Sequence, residues 1–304
     1  MRNIIDVDQL ADKTLLHRLF RRADAFRDMP PSDYPKPLQH LTICTIFFEP
    51  STRTRLSFET AIQNLGGQLI TVENAGDYSS AKKGESLEDT IKTIQEYANG
   101  IVIRHPEIGS AERAAKVSRV PIINAGDGAA QHPTQALLDL YTIHQAKGAI
   151  DGLKVVLVGD TLNSRTIHSL AKLLSLYKVE ILLLAPPALR IPQEYLDLFQ
   201  KLAIPFSLHE TWDEVIEVAD VVYINRVQKE RFKSMEEYEA VKDSCILTLA
   251  LVQRMKTDAI IMDPLPRVNE IELAVDDDPR AIYFQQVRNG LYTRMALLEY
   301  VFAS

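Results

Sequence analysis

Short runs of consecutive apolar residues alternate along the chain with longer stretches in which apolar residues recur every three or four positions. Residues 41–49 read as a buried strand, followed by a helix from about 53 to 65 that stops at Gly66-Gly67. Residues 68–73 read as a second strand, and 74–84, polar with few apolar anchors, as a mobile loop. Leu87, Ile91, Ile94 and Tyr97 are spaced for one face of a helix over 86–98, and Ser86 with Asp89 forms a capping pattern at its start. Strand 101–104, helix 110–117, strand 121–124 and a long helix from about 133 to 147 follow. Residues 148–152 read as a hinge, after which the alternation restarts. It continues as strand 154–159, helix 165–177, strand 179–185, helices around 193–201 and 212–218, and strands 221–225 and 260–263. The closing segment, 290–302, is amphipathic, with Leu291, Met295, Leu298 and Phe302 on one face.

Strand–helix alternation of this kind predicts parallel sheets covered on both faces. The fold class expected is α/β: two open, mainly parallel-sheet α/β domains with the active site in the cleft between them. A chain of 304 residues is long for one core and comfortable for two. The division expected is 1–132 with 288–304 for the first domain and 133–287 for the second.

Composition narrows the class. The chain is 46% hydrophobic and 25% charged, ordinary for a globular protein. Its longest apolar runs, such as 155–158 and 181–185, are too short to cross a bilayer. Residues 1–6 lack the pattern of a secretory signal, and the two cysteines, Cys44 and Cys245, sit in apolar runs without zinc or disulfide spacing. These features lead to an expected cytoplasmic location. A net charge of −7 argues against a nucleic-acid surface. Within this acidic chain, however, Arg53, Arg104, Arg165 and Arg226 all stand at the ends of apolar strands. Cations placed there predict a local pocket for an anion.

The loop Ser51-Thr52-Arg53-Thr54-Arg55 lies where a strand turns into a helix. In an open parallel sheet, ligands bind just beyond the carboxyl ends of the strands. First-turn amides lack intrahelical partners, the helix dipole adds positive potential, and Arg53 adds a charged fork suited to phosphate. The longer run from Phe48-Glu49-Pro50 through Ser57-Phe58-Glu59 resembles the phosphate signature of the carbamoyltransferase family. His132-Pro133-Thr134-Gln135 matches the family's second motif, and its His132 and Gln135 are three apart, on one face of a helix start. Gly126-Asp127-Gly128 and Phe284-Gln285-Gln286 also fit.

The resemblance implies a set of site residues. Carbamoyl phosphate would be held by Ser51, Thr52, Arg53, Thr54, Ser79, Arg104, His132, Gln135 and Leu265. The acceptor would be held by Lys83, Arg165, Arg226, Gln228, Leu265 and Pro266. Catalytic roles fall to Arg53, Thr54, Lys83, Arg104, His132 and Gln135. The segment Arg226-Val227-Gln228 and the loop Asp263-Pro264-Leu265-Pro266-Arg267 look like those of the family's aspartate-using branch, whereas the ornithine branch carries a cysteine in that loop. A basic acceptor would want acidic residues nearby, while Arg226, Gln228 and Arg267 suit a dicarboxylate. Ser79 and Lys83 are donated to a neighbouring subunit's site in the family, which implies a homotrimer with shared sites. Regulatory chains or other pathway enzymes are possible further partners. No cofactor and no metal are expected. Glu49, with Arg165 and Arg231, would hold the two lobes closed. Two departures stand out: Asp263 replaces a usual histidine, and Thr161-Leu162-Asn163-Ser164 replaces a lysine–aromatic segment tied to allosteric contacts.

Overall fold

The structure, a computed structural model, describes residues 2–78, 80–229, 232 and 234–303, with 77, 78, 80 and 81 described by backbone alone. The chain divides into two compact units, Met1–Tyr141 with Arg288–Ser304, and Thr142–Val287.

In the first unit, β1 (Thr42–Phe47), β2 (Gln68–Glu73), β3 (Gly100–His105) and β4 (Ile122–Asp127) form one parallel sheet in the order β2-β1-β3-β4. Its helices are α1 (Lys13–Asp28), α2 (Thr52–Asn64), α3 (Ala75–Tyr78), α4 (Leu87–Ile94), α5 (Ser110–Val117), and the parts of α6 (Pro133–Lys147) and α11 (Tyr283–Phe302) on its side of the division. Cys44, Ile46, Ile101, Ile103 and Ile122, alternate residues of three strands, share a core with Leu87 and Ile91 of α4 and Ala111 and Ala114 of α5. On the other side of β1, Thr45 Oγ1 donates to Glu59 of α2 at 3.1 Å. Burying one such Ile or Leu side chain contributes about 1.5–3 kcal/mol. The α11 segment is tied in by Asn64 to the Met295 sulfur, Arg22 to Glu299, and Gly100, whose Cα faces the Phe302 ring so closely that no Cβ fits.

In the second unit, β5 (Lys154–Gly159), β6 (Glu180–Leu184), β7 (Phe206–His209), β8 (Val221–Asn225) and β9 (Ile260–Met262) pair in parallel in the order β7-β6-β5-β8-β9. Helices α7 (Arg165–Leu174), α8 (Gln193–Lys201), α9 (Met235–Glu239) and α10 (Leu249–Val252) accompany it. Val156, Val158, Leu182, Leu184, Val222, Ile224 and Ile261 line one face of the sheet and pack with Trp212, Ile216 and Tyr283. The two-domain parallel α/β expectation describes both units.

Three local expectations need correction. The first unit runs to Tyr141, nine residues past the expected break. Tyr141 donates to Asp24 of α1 at 2.8 Å and its ring lies 5.6 Å from Phe20, so α6 is bound to α1 at its middle. Residues 74–84 are not a plain loop: α3 and a 3₁₀ turn at Ser80–Lys83 fall there, and Ala75 is buried in the core. Residues 212–218 form a single 3₁₀ turn, Trp212–Glu214, in place of a helix. Further turns, rather than a continuous helix, bring Trp212, Val215, Ile216 and Ala219 to the core. The 16-residue α1, capped by Asp12 accepting from Thr14 N–H, and strand β7 were not anticipated.

Candidate functional site

Each sheet has one place where the connections leave in opposite directions. In the first it lies between β1 and β3, in the second between β5 and β8. Such switch points leave a crevice at the strands' carboxyl ends.

In the first unit, the register pairs Phe47 with Arg104, and Phe48 N–H donates to the Arg104 carbonyl at 2.9 Å. This places the loop after β1 beside the end of β3. Ser51 is the N-cap residue of α2, yet its side chain does not cap the helix. Its hydroxyl instead accepts from Arg104 Nη1 at 3.2 Å. The amide end of a 13-residue helix thus opens toward two guanidinium groups, Arg53 and Arg104, which repel each other. Burial pulls the Arg104 pKa down, while Glu49 works to raise it, and Arg53 lowers it further. Glu49 Oε1 accepts from Nε of Arg104 at 2.7 Å and forms an ion pair with its Nη2, also at 2.7 Å. Two cations gathered in this way, with Glu49 paired to Arg104, favour an incoming anion.

Thr54, on the first turn of α2, is buried, and its hydroxyl meets His132 Nε2 at 3.5 Å. His132 immediately precedes α6, and the Gln135 and Ala136 amides donate to its carbonyl. Its position follows from the loop before it. Asp127 accepts from Gly109 N–H at 3.0 Å and from the Asn124 amide at 3.1 Å, while Gly128 N–H donates to the His105 carbonyl at 2.9 Å. Gly128 has φ +48°, and a Cβ there would stand 2.9 Å from the Pro106 carbonyl oxygen. Gln135, also buried, donates through Nε2 to Asp139 Oδ1 at 2.8 Å. Thr52 is exposed, and Lys83 is exposed on the 3₁₀ turn Ser80–Lys83. Ser79 and Arg231 lie outside the described residues.

In the second unit, β5 and β8 approach so closely that only glycine fits at Gly159. Its φ is +99°, and a Cβ would stand 2.0 Å from the Asn225 carbonyl oxygen. Asp160, buried after β5, accepts from Asn163 N–H at 3.0 Å and, more weakly, from Gln228 N–H at 3.4 Å. Asn225 donates to Ser164 Oγ at 2.7 Å and Thr166 Oγ1 at 2.8 Å. Ser164 caps α7 by accepting from Ile167 N–H, which sets Arg165 as the first residue of that helix. Arg165, Arg226 and Gln228 therefore gather at the second switch point, each half-buried.

Leu265 and Pro266 follow β9. Leu265 has φ +59°, and its N–H donates to Asp263 Oδ1 at 2.5 Å. Asp263 N–H in turn donates to Gln286 Oε1 at 3.0 Å. Arg267, expected to suit a dicarboxylate, is occupied otherwise: Asp276 pairs with it, and Tyr283 accepts from Nη1 at 3.0 Å. The Asp276 hydrogen bond raises the Arg267 pKa. Cys44 and Cys245 are free and buried as expected, and burial pushes the Cys44 thiol up to about 12. No group of potential metal ligands occurs among the described residues.

Sequence reasoning did not single out Asp139, Asp160 or Asn225. The spacing of Gln135 and Asp139, four apart on a helix, was the available signal for the first. Asp160 and Asn225 become informative only once the pairing of β5 with β8 is known.

The family model for the aspartate/ornithine carbamoyltransferase carbamoyl-P binding domain matches residues 2–145, and that for the Asp/Orn binding domain matches residues 151–301. The chain is 46% identical over 303 residues to aspartate carbamoyltransferase 3, chloroplastic, of Pisum sativum, covering 98% of this chain and 76% of that protein. It is 45% identical over 304 residues to the multifunctional protein pyr1-3 of Dictyostelium discoideum, spanning all of this chain and 14% of that protein. Among solved structures, the Trypanosoma cruzi aspartate transcarbamoylase in complex with carbamoyl phosphate superposes with a TM-score of 0.94 at 38% identity, covering 99% of this chain and 96% of that one.

Proposed function

The chain belongs to the aspartate/ornithine carbamoyltransferase family, and from that premise we propose how its residues divide the work of the aspartate reaction. That reaction moves the carbamoyl group of carbamoyl phosphate to the amine of L-aspartate, giving N-carbamoyl-L-aspartate and phosphate. The observation that carries the assignment is the contact of Thr54 with His132 beside Arg104, at a helix start whose N-cap hydroxyl faces the arginine.

In this reading the first unit holds carbamoyl phosphate. The phosphate sits on the opening of α2, with Ser51, Thr52, Arg53 and Arg104 as donors. Thr54, Arg104 and His132 donate to the carbonyl oxygen, and Gln135 meets the carbamoyl end. Arg165, Arg226 and Gln228 of the second unit take the aspartate, with Leu265 and Pro266 alongside. Attack of the amine on the carbamoyl carbon gives a tetrahedral intermediate, and phosphate leaves as the C–O bond breaks. Each donor aimed at the developing oxyanion contributes about 3–4 kcal/mol. Holding the two substrates together contributes about 7–11 kcal/mol. The departing phosphate takes the amine proton.

Lys83 and Ser79 complete the site of a neighbouring copy, so the working unit is a homotrimer. The product feeds pyrimidine synthesis. The enzyme works in the cytoplasm, a reading supported by two free, buried cysteines.

Side-by-side carbamoylation assays with aspartate and ornithine test the central assignment. Turnover is expected with aspartate alone, and His132→Ala is expected to lower kcat by about 10²–10³. Activity with ornithine in place of aspartate would overturn the acceptor, and an unchanged kcat in His132→Ala would overturn the site.

A further inference from the structure

Gln135 has a neighbour one helical turn away whose chemistry decides what the glutamine can recognise. Asp139 follows it by four residues in α6, and Gln135 Nε2 donates to Asp139 Oδ1 at 2.8 Å. Asp139 is 0% exposed and Gln135 8% exposed. A carboxylate only accepts, so the glutamine must turn its NH₂ group toward Asp139. Its Oε1 is left as an acceptor, and no described residue donates to it.

The carboxylate is matched by a buried cation. Arg294 of α11 is 3% exposed, lies over the Phe58 ring at 5.2 Å, and its charge interacts with Asp139. Burial draws the Arg294 pKa down to about 10, which still leaves it charged at neutral pH. Phe58 belongs to α2, the helix that opens at Ser51, so the buried cation packs against the same helix whose start forms the anion site.

We propose that Asp139 is a specificity-determining positioning residue: by fixing the Gln135 amide with its oxygen presented, it makes the site require an N–H donor on the group bonded to phosphate. The inference rests on the reading that Gln135 meets the carbamoyl end of the substrate. Acetyl phosphate keeps the phosphate and the carbonyl of carbamoyl phosphate and carries a methyl group in place of the amine. Against a fixed acceptor the methyl group leaves Oε1 unsatisfied. An amide free to turn over would escape that penalty. If the Gln135–Asp139 contact serves the core alone, its loss weakens both ligands equally.

The test uses the full chain in its native assembly and measures dissociation constants for carbamoyl phosphate, acetyl phosphate and inorganic phosphate. In Asp139→Asn the new amide offers both a donor and an acceptor, so it no longer dictates the direction of Gln135. The preference for carbamoyl over acetyl phosphate is expected to fall about tenfold, with inorganic phosphate affinity unchanged. A preference that stays at the wild-type value overturns the proposal. Removing one member of a buried charge pair can prevent folding, so Asp139→Asn with Arg294→Met carries the same comparison without an unmatched buried cation. Gln135→Met separates the two layers of the argument. If it too keeps the full preference, Gln135 does not meet the carbamoyl end and the site reading fails. If it loses the preference while Asp139→Asn keeps it, the site reading stands and the role of Asp139 is refuted.

Discussion

In the loop after β9, a buried carboxylate shapes the backbone that the family resemblance assigns to substrate. Asp263 is 2% exposed, and its side chain accepts from the N–H of Leu265, a residue in the left-handed region at φ +59°. A non-glycine residue with that φ is uncommon and needs surrounding support. Asp263 supplies that support from its side chain, and Gln286 holds its own backbone amide. Asp263→Asn keeps an oxygen that can accept from Leu265, and is expected to retain turnover within a few-fold. Asp263→Ala leaves that N–H without its acceptor, a loss of about 1–3 kcal/mol in holding the loop. Steady-state kinetics of the two variants decide the point: equal activity in both would show that the carboxylate does not set the loop. The sequence marked Asp263 as a departure but did not reveal this role, because φ at Leu265 and the reach of Gln286 across the unit are not local properties. Arg267 illustrates the opposite limit. Its charge suggested a role toward a dicarboxylate, yet Asp276, nine residues on, occupies it.

At the scale of elements, legibility followed periodicity and strand–loop signals. β2, α5, α6, β5, α8 and β8 have the bounds that their apolar patterns predict. The signal for α1 was present too, since Leu16, Leu19, Phe20, Ala23 and Phe26 are all buried at helical spacing after a capping aspartate. Residues 212–218 misled because turns can bury the same spacing without a continuous helix. Helix α7 carries a further consequence. His168 is buried, stacks on Tyr195 at 4.6 Å between ring centroids, and donates through Nε2 to the Thr161 carbonyl at 2.9 Å. Burial holds its pKa below the ordinary 6.5, against smaller raising effects from Thr161 and Glu194. The unfolded chain therefore protonates first as pH falls. The stability contributed by the neutral ring is complete above about pH 6.5 and is lost below it, as pH falls toward the depressed folded value. Unfolding midpoints at pH 8 and pH 5 are expected to separate in the wild type. In His168→Gln, which can still donate to Thr161 but does not titrate, the separation is expected to shrink. An unchanged separation would assign the acid sensitivity to other groups.

For the whole molecule, the alternating pattern was enough to indicate two parallel α/β units. The point of division was harder to read, because α6 looks like one helix in the sequence and contributes residues to both units. The proposed sharing of sites between copies has a direct test at this scale. Lys83→Ala and His132→Ala chains, each expected to be strongly impaired alone, are mixed after dissociation and allowed to reassemble. Recovery of activity in the hybrids is expected if Lys83 serves a neighbour's site. Failure to recover any would confine each site to one chain.

The second unit is continuous in the chain, whereas the first is built from two separated segments, the later one lying in α11. During synthesis, β1 to β4 leave the ribosome well before the residues that contact Asn64, Arg22 and Gly100 from α11. At about 5–20 residues per second, the intervening stretch takes on the order of ten seconds to appear. For that interval the nascent first unit stands with part of its apolar surface open. Its dependence on chaperones is therefore expected to be concentrated there, while the unit translated second is the first to be complete.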